Sequence, residues 1–319
     1  MGFFTASPYP PVAIEINASV ARLCVAGASK SGPTWESYAR RAIPQGVVRP
    51  GPVEPNVLDA EKLRDVVKAL VEEGRPKGKN AALLLPDCVA RSTILEFDAL
   101  PSSPRDLAEL VRFRMKKVTP FPIEQARVST TRLAPLAGQQ RLLAVAASEK
   151  VLAGYESALA PLSLHFGLVD LSTLNLLPLV AALRKTAPAS ESYMVVNADE
   201  SCFSIAIVRQ NDLSFFRTKI HPAADADGAL TDENLAKEVR LSRLYFAERI
   251  SADPLPTLYL REARGPNPRL AAELAAEGCA VTRIDPFAVA PAAEGLDADH
   301  AAAVEAAPLL GMIVSRRAA

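Results

Sequence analysis

The chain has 319 residues, with 36 Lys and Arg balanced by 36 Asp and Glu. It is 49% hydrophobic and 23% charged, the composition of an ordinary globular protein long enough for about two domains. Zero net charge argues against a protein built to coat nucleic acid. The four cysteines (Cys24, Cys88, Cys202, Cys279) and three histidines (His165, His221, His300) are too far apart for a disulfide framework or a zinc motif.

Targeting signals are not evident either. The longest apolar candidate, Gly167 to Leu183, is interrupted by Asp170, Asn175 and Pro178, so no transmembrane helix is expected. The N-terminus lacks the basic start and long apolar stretch of a signal peptide, and Ala6 stands where a myristoylation motif requires Ser or Thr. A cytoplasmic protein is expected.

In chain order, apolar runs predict strands at Val12 to Ile16 and Arg22 to Ala26. Leu58 to Glu73 reads as a helix: Leu63, Val66, Val67, Leu70 and Val71 recur at helical spacing, and Gly74 is its expected stop. Ala81 to Leu85 is a short all-apolar run typical of a buried strand. Ser103 and Pro104 open a helix whose apolar face is Leu107, Leu110, Val111, Met115 and Val118, and Pro120 and Pro122 end it. Strands are predicted at Ala126 to Leu133 and Arg141 to Ala147. A helix capped by Ser148 and another over Ser172 to Lys185 follow. The polar stretch Lys185 to Glu191 marks a domain boundary.

Beyond it come strands at Tyr193 to Asn197, Cys202 to Val208 and Leu213 to Ile220, with Asn211 and Asp212 in the last turn. A loop at 222–231 and a helix over Glu233 to Ile250 are next. Strand, helix and strand at 257–260, 268–277 and 279–284 lead to a Pro/Ala/Asp-rich surface segment at 285–300 and a final helix over Ala301 to Arg317. Strands and helices interleave in both halves, which gives an α/β class with two lobes.

Recognisable chemistry is sparse. Gly27 to Thr34 has the outline of a phosphate loop, but Pro33 stands where the lysine is required, and a hairpin is expected instead. Arg112, Arg114, Lys116 and Lys117 lie opposite the apolar face of their helix and read as solvated surface; an acidic lipid or acidic partner is the weaker alternative. Nucleic acid is less expected still, since Phe113 alone stands among them and no series of aromatics at stacking positions interleaves. Asp87, Glu96 and Asp98 form no recognisable carboxylate pair, and adjacent Asp199 and Glu200 diverge if extended.

One segment is more specific. Leu85-Pro86-Asp87-Cys88-Val89-Ala90-Arg91 runs through Leu100-Pro101 and a helix to Pro120-Phe121-Pro122-Ile123-Glu124. It resembles the type IV pilus assembly PilM family, in which an L-P-x-x-x-V-R strand, a leucine–proline turn and a helix lead to a P-F-P-[LI]-E closure. Gly167 to Leu171, the helix Leu235 to Phe246 and the closing Gly311 to Arg317 resemble further family segments in the same order.

The resemblance implies an actin-like ATPase fold, with two lobes each built on a ribonuclease-H-like mixed sheet. The first lobe would span 1–184 with 301–319 returning to it, and the second 185–300. It also implies a cytoplasmic scaffold of the pilus inner-membrane assembly platform. Such a scaffold is recruited peripherally by holding the N-terminal tail of a PilN-like single-pass protein in a first-lobe groove, expected here near 85–97 and 104–123. Other platform or motor proteins are further partners implied. A nucleotide-cycling actin-like ATPase and a soluble GspL-like component of a type II secretion system are the alternatives. Leu174 to Pro178 resembles the N-L-L-P motif of partner tails, which its helical setting marks as coincidence.

ATP-binding relatives hold phosphates on two hairpin loops, the first D-[IL]-G-S-x-S-x-K and the second D-I-G-x-x-x-T. In the first loop Glu15 replaces the Asp, Asn17 the Gly and Ala18 a Ser, with Ser19 beside them and Arg22 at the Lys position; the second has Asn197 for the metal-organising Asp and Asp199 for Gly. The Gly-Gly turn near the adenosine is reduced to Gly265. Asp199 would place a charge of the phosphate's own sign beside it, a repulsion of about 4 kcal/mol at roughly 4 Å and an effective dielectric near 20. The resemblance thus assigns Glu15, Asn17, Ser19, Arg22, Asn197, Asp199 and Gly265 to degenerate nucleotide loops. No catalytic residue, metal or cofactor is expected; ATP with magnesium is the ligand these loops would take if they took one. Glu15 and Asp199 are read as surface carboxylates.

Overall fold

The computed structural model describes residues 10–29, 32–188, 190–221, 232–263, 265–292 and 304–318. The chain opens with an antiparallel meander of β1 (Val12–Ile16), β2 (Val20–Ser29) and β3 (Gly32–Ala42). After α1 (Ala60–Gly74), β4 (Asn80–Leu85) joins β1 in parallel. An excursion through β5 (Ala90–Phe97), α2 (Pro104–Met115), β6 (Ala126–Leu136) and β7 (Gln139–Ser148) builds a separate antiparallel sheet of order β5-β7-β6. Then α3 (Glu149–Leu159) leads to β8 (His165–Leu171), which completes the first sheet as β3-β2-β1-β4-β8.

The second lobe repeats this plan. After α4 (Ser172–Leu183) come β9 (Tyr193–Ala198), β10 (Cys202–Arg209), β11 (Asp212–Ile220), α5 (Asp232–Arg249), β12 (Thr257–Glu262), α6 (Pro268–Ala276) and β13 (Ala280–Arg283). Their order is β11-β10-β9-β12-β13, with the same succession of antiparallel and parallel pairings. The tight β10–β11 hairpin turns on Gln210 and Asn211, both at positive φ.

Strand alternation divides the core. On β1, Val12, Ile14 and Ile16 pack with Leu63, Val67 and Leu70 of α1 and Val151 and Tyr155 of α3. Ala13 faces the other way, toward Leu309, Leu310, Met312 and Ile313 of the last helix, α7 (Ala307–Ala318). Glu15 shares Ala13's face and so points toward the boundary between the lobes.

Two expectations change. Residues 32–42 form β3, which the sequence hid because only Trp35 and Ala39 supply a buried apolar face. Gly74 is not the left-handed stop of α1: Arg75 takes that conformation (φ 45°). Gly74 instead lets the helix approach β2, where an added Cβ would lie 2.4 Å from Leu23 Cδ2. Of the helix read over Ala301 to Arg317, residues 304–305 and Ala307–Ala318 are helical. The loop read at 222–231 and residues 293–303 lie outside the described residues.

Candidate functional site

Two hairpin turns meet between the lobes. The β1–β2 turn carries Asn17 and Ser19; the β9–β10 turn carries Asp199 and Glu200. Asn17 Nδ2 donates to Asp199 Oδ2 at 3.1 Å. Ser19 donates from its amide and its hydroxyl to the two carboxylate oxygens of Glu200, at 3.0 and 2.6 Å. The donors of the first turn are thus spent on the carboxylates of the second.

Below the turns lies a buried ionic cluster. Glu15 stands opposite Arg22 in the β1–β2 register, and Arg22 Nη1 donates to it at 3.0 Å. Arg261, beside Asn197 in the β9–β12 register, donates from Nη2 to both Glu15 oxygens at 3.1 Å. Its Nη1 reaches Asn197 Oδ1 at 3.0 Å and Asp199 Oδ2 at 3.3 Å. Arg22 Nη2 donates to the Ala263 carbonyl (2.8 Å) and to Glu305 Oε2 (2.9 Å), while Arg261 donates to the Glu305 carbonyl. Glu15, Arg22 and Arg261 expose no surface. Two guanidinium groups therefore face three carboxylates in the space between the lobes.

A third layer centres on Asp87, which accepts from the Thr173 amide (3.2 Å), the Thr173 hydroxyl and Ser204 Oγ (2.9 Å). Asn197 Nδ2 donates to Thr173 Oγ1, and Ser172 Oγ donates to Glu15. Burial raises the Asp87 carboxyl to about 6 against the hydrogen bonds from Thr173 and Ser204, with nearby Asp199 adding to the rise. Burial also raises Asp199; Arg261 opposes this, and Glu15 and Glu200 add to it. At Arg22 burial works against the charge, but Glu15, Tyr38 and Glu305 outweigh it and hold the group above its usual value.

Six of the seven residues assigned by resemblance, Glu15, Asn17, Ser19, Arg22, Asn197 and Asp199, are brought together here. Gly265 lies at the margin, at positive φ (88°), with Glu305 Oε1 3.9 Å from where a Cβ would stand. The reading of Glu15 and Asp199 as surface carboxylates is corrected: both are buried, because each has an arginine partner. Asp199 and Glu200 do not diverge, since they occupy a turn rather than a strand, and both reach the opposite hairpin. Asp87 does find partners across the lobe boundary. Sequence reasoning missed Arg261, Glu305, Thr173 and Ser204. The available signal was Arg261 itself, an arginine directly following the alternating apolar strand Leu258–Leu260.

The basic residues of α2 are largely used within the protein. Arg112 donates to the carbonyls of Ile123 and Ala126, Arg114 to that of Glu96, and Lys116 pairs with Glu124. No cluster of three potential metal ligands and no helix long and apolar enough to cross a membrane occurs among the described residues.

The first lobe also carries a groove of about 730 Å³ between β6 and β8, each the end strand of its sheet. Leu133, Leu143, Val145, Phe166, Leu174 and Leu177 give it an apolar lining.

The backbone matches a chain of a PilM–PilN type IV pilus biogenesis complex with a TM-score of 0.78, at 20% identity, over 97% of this chain and 99% of that one. A Bacteroides thetaiotaomicron protein of unknown function, described as having an actin-like ATPase fold, matches with a TM-score of 0.56 at 10% identity, over 97% and 98%. The chain has the actin-like ATPase fold. No protein-family model matches it, and no curated protein matches it in sequence. Within the actin-like fold, the paired sheets of like order are the two lobes, and the bonded hairpins lie on the boundary between them.

Proposed function

We propose that this protein is a cytoplasmic scaffold of a type IV pilus inner-membrane assembly platform that binds the N-terminal tail of a PilN-like single-pass membrane protein. The observation that carries this reading is the whole-length backbone match to a chain of the PilM–PilN complex, far closer than to the Bacteroides protein. The β6–β8 groove is the proposed tail site. Its lining is apolar, and both walls are end strands that leave backbone groups free for an extended peptide. It takes Leu85, Val89 and Ala90 from the segment expected at 85–97 but nothing from 104–123. Such a tail would recruit the chain to the inner-membrane face.

On this reading the cleft between the lobes is a permanent clasp, not a nucleotide site. The positions that would face a triphosphate hold buried carboxylates, and the cluster is filled by Arg22 and Arg261. Bound phosphate would have to displace charge-assisted bonds and meet like charge. ATP turnover is accordingly not part of the proposed function.

The test is a fluorescence-anisotropy titration of a labelled peptide copying the cytoplasmic tail of the PilN-like protein from the same host. Saturable binding that Leu133→Asp abolishes supports the assignment. No binding to the folded wild-type chain would sink it. A parallel magnesium–ATP titration followed by thermal shift should show no saturable stabilisation, and a micromolar response would return the cleft to nucleotide chemistry.

A further inference from the structure

A second groove, of about 1110 Å³, crosses from the three-stranded sheet to the second lobe. Its floor is made by β5 and β11, both end strands of their sheets. One wall is α5; Val118 and Pro120, just beyond α2, contribute to the other. Large apolar side chains stand exposed in or beside it: Ile220 (49%), Leu241 (42%), Tyr245 (47%) and, next to them on α5, Leu244 (52%). Phe215 in the floor packs on Tyr245 with ring centroids 5.6 Å apart, and Arg217 lies over the Phe215 ring. Exposed apolar surface gathered in one concavity marks an interaction site rather than scattered surface residues.

The charges in the groove select among occupants. Arg217 and Lys219 share one carboxylate, Glu238, each at 3.3 Å. Arg91 and Arg249 line the groove with no ion-pair partner among the described residues. The buried hydroxyl of Ser92 on β5 likewise has no hydrogen-bond partner. Cationic groups are in excess over an aliphatic and aromatic shelf. A nucleic acid fits poorly, since Glu96 and Glu238 would face its backbone and no open aromatic ladder is present.

We propose that this groove docks an extended segment of a partner protein in which acidic residues flank apolar ones, the acidic groups meeting Arg91 and Arg249 and the apolar groups covering Leu241 and Tyr245. Such a segment uses the free strand edges for backbone bonds and the charges for orientation. Because the floor takes one strand from each side of the lobe boundary, the bound segment also tethers the lobes from outside the buried clasp. Its lining shares only Ala90 with the β6–β8 groove, so it stands or falls independently of the tail-binding assignment.

A phage-displayed random dodecapeptide library panned on the full chain, with the Leu241→Asp variant used to deplete, tests this. Enriched peptides should combine Asp or Glu with apolar residues. Synthesised singly, they should bind the wild-type chain and weaken by about tenfold or more in an Arg91→Glu, Arg249→Glu variant, while Leu133→Asp in the other groove leaves them unchanged. Both arginines are exposed, so charge reversal should preserve the fold, which circular dichroism checks. Three results would overturn the proposal. They are no peptide that distinguishes wild type from Leu241→Asp, enriched peptides without acidic residues, or a wild-type dimer in sedimentation that Leu241→Asp dissociates, which would seat a second copy there.

Discussion

Glu15 and Arg22 sit directly opposite each other on a hairpin, bonded at 3.0 Å, and both are wholly buried. The pair is local in sequence, yet Glu15 also holds Arg261 of the second lobe with both carboxylate oxygens. A hairpin pair thereby becomes the central bond between two lobes.

Removing the charge at its centre should be severe. Glu15→Gln keeps the shape but leaves two buried guanidinium groups with less compensation. Breaking a buried ion pair from one side costs about 3–5 kcal/mol. The urea midpoint should fall by a corresponding amount with an unchanged m-value. A loss below about 1 kcal/mol would show that Glu305 and Asp199 suffice to hold both arginines.

The outer bond is expected to be weaker. Ser19 is exposed and Glu200 half-buried, so water competes for both groups. Glu200→Ala should cost about 1 kcal/mol in global stability. Its clearer effect should be faster hydrogen exchange at the Ser19 amide, which loses its acceptor. Unchanged exchange would mean that the turns stay closed without this carboxylate.

The parts of this arrangement differ in how far the sequence discloses them. Helix α1 is legible because one apolar stripe repeats at helical spacing, and Asp59 caps it. The hairpin residues Glu15, Asn17, Asn197 and Asp199 are legible as departures from a loop motif. Their bonding is not, because it depends on which carboxylate meets which arginine across 182 to 246 residues of chain. An extended Asp199-Glu200 would splay its side chains; only the turn aims both at the first lobe. Strand β3 escapes for a different reason: exposed Glu36, Arg40 and Arg41 dilute its apolar alternation. The match between the two five-stranded sheets leaves no recognisable repeat in the residues, since backbone pairing constrains their order and not their side chains.

Asp87 should make lobe docking depend on pH. Its carboxyl is raised from 3.8 to about 6 in the folded protein, so folding favours the protonated form. The stabilisation is fully present below about pH 4 and is lost as pH rises through about 6. Measured as the stability difference between the wild-type chain and Asp87→Asn, the wild type should lose on the order of 2 kcal/mol across that window and stay level above pH 7. A flat difference curve would place the Asp87 titration outside the window.

Two helical glycines should respond to alanine with opposite signs. In α7, a Cβ on Gly311 would lie 1.6 Å from the carbonyl oxygen of Asn175 and 2.6 Å from its carbonyl carbon, both backbone atoms of α4. Neither helix can yield locally: Leu309, Leu310 and Ile313 are fixed against the first sheet, and Leu176, Leu179 and Val180 against β9 and β10. Gly311→Ala must force the helices apart, and overpacking of this kind costs about 1–3 kcal/mol or more. In α3, a Cβ on Gly154 would meet only Val57 side-chain atoms at an ordinary 3.9 Å. Gly154→Ala therefore adds helix propensity without a clash and should stabilise by about 0.5–1 kcal/mol. Thermal unfolding of the two variants beside the wild type reads both signs at once. A neutral Gly311→Ala would mean that α7 can slide on α4 and that the contact between these helices is not close-packed.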